Sequence, residues 1–162
     1  MISSTIVTAL LWAAALSSGI IAGVYFSFSG FIMPAFGKIN STQSIVAMNS
    51  INDSILRSLF MPLFFGSSII SVLLIIISFA YWGESGTDLT LIAGSIYFIG
   101  MFVCTVLFNV PLNNLLAQLD PDSDNAHQIW DRYLNAWTKW NHLRTVSSLL
   151  TCIVCTWILS NY

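Results

Sequence analysis

Residues 59–82 read LFMPLFFGSSIISVLLIIISFAYW, and this stretch decides the fold class. It contains no acid and no base, and it exceeds the roughly 20 apolar residues that a helix needs to cross a bilayer core. In hydrocarbon each backbone amide must find its partner inside its own segment, so such a stretch is helical. Arg57 precedes it and Glu84 follows it, which returns the chain to water at both ends. Three further stretches obey the same rule: about 6–36, about 89–108 with a continuation toward Leu119, and about 140–159. The prediction is an all-α integral membrane protein, a four-helix bundle forming one domain over residues 1–162. The first stretch is longer than a signal-peptide core and has no Lys or Arg before it, so it reads as a retained span.

Composition agrees. Hydrophobic residues make up 56% and charged residues 7% of the 162-residue chain, with mean hydropathy +0.80. Soluble domains carry about 25% charged residues, so this surface cannot face water all round. A net charge of −2 excludes electrostatic nucleic-acid binding as a main activity.

The loops differ in kind. Residues 83–88 make a plain turn carrying Glu84 and Asp88. Residues 37–57 place Ile45, Met48, Ile51 and Ile55 at helical spacing with Asn49 and Asn52 beside them, which predicts an interfacial amphipathic helix. The third loop opens with Asp120-Pro121-Asp122-Ser123-Asp124, a helix-start signal. A helix is then expected from about Asn125 into the fourth span, with Trp130, Tyr133, Trp137, Trp140 and Arg144 on one stripe. Lys38, Arg57, Arg132, Lys139 and Arg144 all fall in or beside the first and third loops. Basic residues mark the cytoplasmic side, so both termini should lie outside.

Small residues recur every fourth position in the first span (Ala15, Gly19, Gly23, Ser27) and the last (Ser148, Cys152, Thr156, Ser160). Such stripes let helices approach closely in lipid. They suit the bundle interior first and a homo-oligomer seam second.

Four polar clusters interrupt this apolar background: Ser27-Phe28-Ser29, Asn49 to Asp53, Asn109 with Asn113-Asn114, and Trp140 to Thr145. All lie at the cytoplasmic ends of their spans. Thr138, Asn141, His142 and Thr145 share a helix face, and ionisable residues within spans are functional candidates by default. Imidazole is also the side chain best suited to act as a base near neutral pH. The plainer alternatives stay open. The aromatics read as an interfacial belt as well as a ligand wall. Asn109, two residues before Pro111, suits carbonyls freed at a helix break. Thr138 to Thr145 also suits a headgroup-binding edge.

Cys152 and Cys155 form C-x-x-C, but within a span and without a loop cysteine to shuttle electrons, so they read as packing residues. No histidine spacing fits a metal site, and only a His127–His142 pairing would hold a haem; the expectation is neither metal nor cofactor.

Beyond these readings, four motifs resemble those of the anthrone oxygenase-like family of small membrane proteins. They are Phe26-Ser27-Phe28-Ser29 with Met33-Pro34, Ala47-Met48-Asn49-Ser50-Ile51-Asn52, Asn109-Val110-Pro111-Leu112-Asn113-Asn114, and Trp137-Thr138-Lys139-Trp140-Asn141-His142-Leu143-Arg144-Thr145. Two positions depart from the family pattern: Asn49 stands where Gln is expected, and Leu56-Arg57-Ser58 replaces Asn-Pro. The resemblance implies an oxygenase that uses O₂ on a flat phenolic or other hydrophobic substrate, drawn from the surrounding lipid, without a recognised metal or flavin site. On that reading His142 is the base, Arg144 the oxyanion partner, and Asn109, Asn113 and Asn141 amide donors. Trp137 and Trp140 would stack on the substrate, and Asn49, Asn52 and Ser29 would complete its binding set. Two other classes stand beside it: a non-catalytic membrane protein binding lipid or a partner subunit, and a small transporter. No acid lies within any span, which weighs against a proton-coupled transporter.

The distribution of basic residues yields a topology test. Reporter fusions at Tyr162 and within residues 83–88 should both report outside; cytoplasmic signal at both sites would reverse the orientation.

Overall fold

The computed structural model describes residues 5–161. It contains five helices: α1 (Thr5–Phe36), α2 (Ser41–Leu56), α3 (Phe60–Ala80), α4 (Thr87–Ala117) and α5 (Ala126–Asn161). All except α2 are long and apolar enough to cross a membrane. The chain is therefore a four-span membrane protein with a shorter helix between the first two spans. Four long apolar helices cover the four stretches, and both the third and fourth run on past their apolar limits. The third continues to Ala117, and the fourth begins at Ala126 as one uninterrupted helix.

Helix length explains the shape. At about 1.5 Å per residue, the 21 residues of α3 just cross a hydrocarbon core of about 30 Å. The 32, 31 and 36 residues of α1, α4 and α5 overshoot it. The excess gathers at the end carrying α2. There the Thr42 hydroxyl donates to the Pro121 carbonyl (3.0 Å) and the Asn49 amide donates to Leu116 O (3.2 Å). Asn40 caps α2 by accepting from Thr42 N at 2.8 Å. Ile45 and Met48 are its buried apolar positions. The acidic turn plays a smaller part than expected: Asp120 accepts from Asp122 N at 3.1 Å within the turn, and no carboxylate enters the first turn of α5.

The interior forms three layers. Val7, Leu11, Leu74, Ala93, Cys155 and Ile158 fill the end bearing the termini. Ile21, Tyr25, Phe64, Tyr97 and Met101 fill the middle. Met33, Ile45, Met48, Leu116, Trp130, Tyr133 and Trp137 fill the α2 end. The burial of these last three aromatics removes them from any lipid-facing belt. Trp12, Trp82 and Trp157, all exposed, are better placed for one.

Small residues serve the bundle interior. A Cβ on Gly19 would lie 3.3 Å from Cys152 Sγ, so the two predicted stripes meet at that point. The stripe does not stay inside the bundle along its whole length: a Cβ on Gly23 would meet no atom within 4 Å. Two closer approaches lie on α4. A Cβ on Gly94 would come within 2.7 Å of the Ser71 carbonyl oxygen, and one on Gly100 within 2.6 Å of Ser147 Cβ. Cys155 is fully buried and Cys152 partly so, and both are free thiols on one helix, consistent with packing roles.

Hydropathy and residue spacing carry no sign of the π-helical turns. These wider turns occupy Phe28–Ile32 in α1 and Phe98–Val103 and Thr105–Asn109 in α4. The first and last stand just ahead of Pro34 and Pro111, whose rings remove an amide donor and crowd the preceding turn. Widening that turn relieves the crowding and shifts the side-chain register where α1 and α4 face α5.

The glycine contacts yield a stability test. Gly94→Ala should destabilise by about 1–3 kcal/mol through overpacking against α3 backbone, whereas Gly23→Ala should be neutral. Thermal unfolding in detergent would compare them, and equal melting temperatures would show that the α3–α4 approach is not tight.

Candidate functional site

Arg144 lies on the buried face of α5, which runs Trp130, Tyr133, Trp137, Asn141, Arg144, Ser147, Ser148 and Thr151. Only 4% of its surface is exposed. The guanidinium lies over two rings, with its central carbon 4.2 Å from the Tyr25 centroid and 5.0 Å from that of Trp137. Such cation–π contacts reach about 2 kcal/mol or more when desolvated. One terminal nitrogen donates to Asn141 Oδ1 at 2.7 Å and the other to Thr105 Oγ1 at 3.4 Å, while Nε has no partner. Among the described residues Arg144 has no carboxylate partner; the ion pairs Arg57–Asp53 and His127–Asp131 both lie on the exposed surface.

Asn141 anchors this arrangement. It is completely buried, and its Nδ2 donates to Tyr25 O at 2.7 Å and to Ser29 Oγ at 2.6 Å. The Tyr25 carbonyl lies close ahead of the first π turn. One amide thus satisfies the backbone of α1 and orients the cation on α5.

Arg144 opens onto a cavity of about 230 Å³. Tyr25 and Phe28 line it from α1, Met48, Ile51, Asn52 and Ile55 from α2, Phe60, Phe64 and Phe65 from α3, Phe102, Thr105, Val110 and Asn113 from α4, and Trp137 from α5. Its wall is overwhelmingly apolar. Asn113 Oδ1 accepts from both Tyr133 Oη and Trp137 Nε1 at 2.9 Å, which directs the Asn113 amide donors away from those rings. Asn52 Nδ2 sits near the Tyr133 hydroxyl without hydrogen-bond geometry and has no partner. Leu56, Phe65, Val106 and Val110 also line the cavity and are exposed, so its mouth is greasy.

The structure divides the sequence candidates. Arg144, Asn113, Trp137 and Asn52 meet at the cavity. Asn141 and Ser29 stand behind it as supports. Asn109 is buried but braces the helices instead of lining the cavity, donating to Trp137 O at 3.3 Å. Asn49 serves α2 docking. Trp140 stacks on Phe108 at 3.8 Å between centroids, outside the cavity.

His142 requires the main correction. It is exposed and lines a separate groove with Lys139, so the expected convergence with Asn109, Asn113 and Arg144 does not occur. The reason is geometric. Two residues of separation on an α-helix place His142 and Arg144 about 160° apart, so one side chain had to face away. Sequence reasoning also missed Tyr25, Phe28, Phe60 and Thr105. Tyr25 and Phe28 carried a faint signal as aromatics one turn apart, whereas Thr105 lies in a π turn that spacing does not reveal. Among the described residues no group of three or more His, Cys, Asp or Glu side chains could hold a metal ion.

Fold and site together define a class: a four-span helical membrane protein with a buried, unpaired cation at the wall of an apolar cavity. Comparison with family models specifies it further. The model described as anthrone oxygenase matches residues 56–154, more than half of the chain, and the protein belongs to that family. Comparisons with curated proteins and with solved structures give no match. The matched region includes Thr105, Asn113, Trp137, Asn141 and Arg144 but not Tyr25, Phe28 or Asn52.

The anchoring role of Asn141 yields a third test. Asn141→Leu should strand the Tyr25 carbonyl and remove a partner from Arg144, costing about 1–3 kcal/mol for each buried group left unpaired. A melting temperature equal to that of the unmodified protein would show that the amide does not hold the site.

Proposed function

We propose that the protein is a membrane-embedded oxygenase that takes a flat phenolic substrate from the bilayer and holds it as its anion against Arg144. The observation that supports this reading is the buried guanidinium at the wall of an apolar cavity, with no carboxylate to neutralise it. A lone buried charge costs several kcal/mol, so the site favours a ligand that brings the missing negative charge.

The same charge assists the chemistry. Attraction between charges strengthens as the dielectric falls, so a bound phenol or anthrone loses a proton more readily beside Arg144. With His142 elsewhere and no carboxylate in the wall, that proton passes to water at the interface. The enolate is electron-rich and reacts with O₂ at the ring carbon. Proton return gives a hydroperoxide, and loss of water leaves a carbonyl. The sum is R₂CH₂ + O₂ → R₂C=O + H₂O: one oxygen atom enters the product, the other leaves as water, and four electrons pass from carbon to O₂.

In this scheme Arg144 stabilises the oxyanion throughout, a role that is often the largest single contribution to rate. Trp137, Phe28 and Phe60 offer faces to the ring system. The amides of Asn52 and Asn113 would donate to a second oxygen, selecting substrates with an oxygen at each end.

The test uses purified, lipid-reconstituted protein with anthrone, following O₂ uptake and quinone absorbance. Arg144→Lys should lower turnover about 10²-fold, the scale of losing an oxyanion donor, because a point charge does not replace the planar fork. Thr105→Asp would place a carboxylate beside the guanidinium and should abolish binding of a phenolate ligand while the protein still folds. Undiminished turnover in both variants would end the proposal.

A further inference from the structure

A second concavity, separate from the cavity, lies on the outer side of α5. It measures about 330 Å³ and its wall includes Met33, Pro34, Thr138, Lys139 and His142. We propose that this groove binds the phosphate of an anionic phospholipid, with an acyl chain following the helix below it.

Depth is the first argument. The exposed surface of α5 changes from apolar at Leu143 and Val146 to polar at His142, Lys139 and Asn135. Such a change marks the edge of the hydrocarbon, so these side chains stand at headgroup level. Arg132 lies a further 10 Å or so along the axis, beyond a headgroup's reach.

The donor set is the second argument. Lys139 supplies a positive charge, and imidazole supplies an N–H donor in either protonation state. No carboxylate lines the groove, and the nearby Asp131 pairs with His127 at 3.2 Å. Thr138 adds a hydroxyl to the wall. Thr145, Thr151, Thr156 and Ser160 on the same helix all donate to the carbonyl four residues earlier. Thr138 makes no such bond, and its oxygen is shielded yet unpartnered. A rotamer change toward the groove would let it donate to a phosphate oxygen.

The apolar track is the third. Val146, Leu149, Ile153 and Trp157 continue below His142 within about 60° of its face, and each is at least half exposed. A charged niche above an unbroken apolar stripe matches a phospholipid from phosphate to acyl chain.

The test compares lipid retention by native mass spectrometry after extraction from vesicles of mixed phosphatidylcholine and phosphatidylglycerol. The unmodified protein should retain phosphatidylglycerol preferentially. Lys139→Gln combined with His142→Gln, both exposed and outside the packed interior, should reduce that preference about tenfold, the scale of losing one to two charge contacts at an anionic surface. Arg132→Gln removes equal charge per site outside the groove and should leave the preference intact. Equal retention of the two lipids, or an undiminished preference in the double variant, would overturn the proposal. So would displacement of the lipid by millimolar inorganic phosphate, which would assign the groove to a soluble anion.

Discussion

A guanidinium held inside an apolar bundle with no counter-ion among the described residues is the constraint around which the α2 half of this protein is arranged. A charge in such a setting costs several kcal/mol unless its surroundings compensate. Here compensation comes from oriented dipoles and ring faces: Asn141 Oδ1, Thr105 Oγ1, and the Tyr25 and Trp137 rings. None of these cancels the charge. They hold it in place while leaving it net positive, as an anion site requires. A carboxylate partner would stabilise the same cation and also disarm it.

The positioning of those partners depends on features that look like defects in isolation. Pro34 and Pro111 disturb α1 and α4, and the adjoining π turns reset the register where the two helices face α5. Thr105 reaches Arg144 from within such a turn, and Ser29 reaches Asn141 from another. Wider turns of this kind cluster at functional sites, and the reason is visible in this bundle: a regular helix would point these hydroxyls elsewhere. The close approach at Gly100 keeps α4 near enough to α5 for the contact to form.

Span number, the amphipathic α2 and the long final helix were legible because they rest on hydropathy and 3.6-residue spacing, which chain composition carries directly. The site was legible only in part. Arg144, Asn113, Trp137 and Asn52 were named among the candidates, yet so were His142, Trp140 and Asn109, which belong elsewhere. A motif written along the chain lists every polar residue in a helical turn, whereas a helix can turn only about a third of them toward one cavity. Choosing that third requires the rotation of α5 against its neighbours. Asn141 illustrates the limit: it was named as a substrate donor, but its amide is fully engaged by Tyr25 and Ser29 and its role is to orient the arginine.

The family match and the cavity wall do not coincide, and the difference bears on specificity. Residues 56–154 contribute the cation, its amide support and the Trp137 face. The opposing wall comes from Tyr25, Phe28, Met48, Ile51, Asn52 and Ile55, ahead of the match. In the proposed chemistry the oxyanion contact is common to any substrate that ionises at the same position, so it belongs with the matched segment. There α1 and α2 would add Phe28 and the Asn52 amide to the ring faces and the Asn113 amide that the matched segment supplies. Helix α2 is held against the spans by polar contacts at Thr42 and Asn49 and by the buried Ile45 and Met48. On the proposed reading the charge comes from the matched segment alone, whereas the apolar wall that would meet the substrate is shared between that segment and the helices ahead of it.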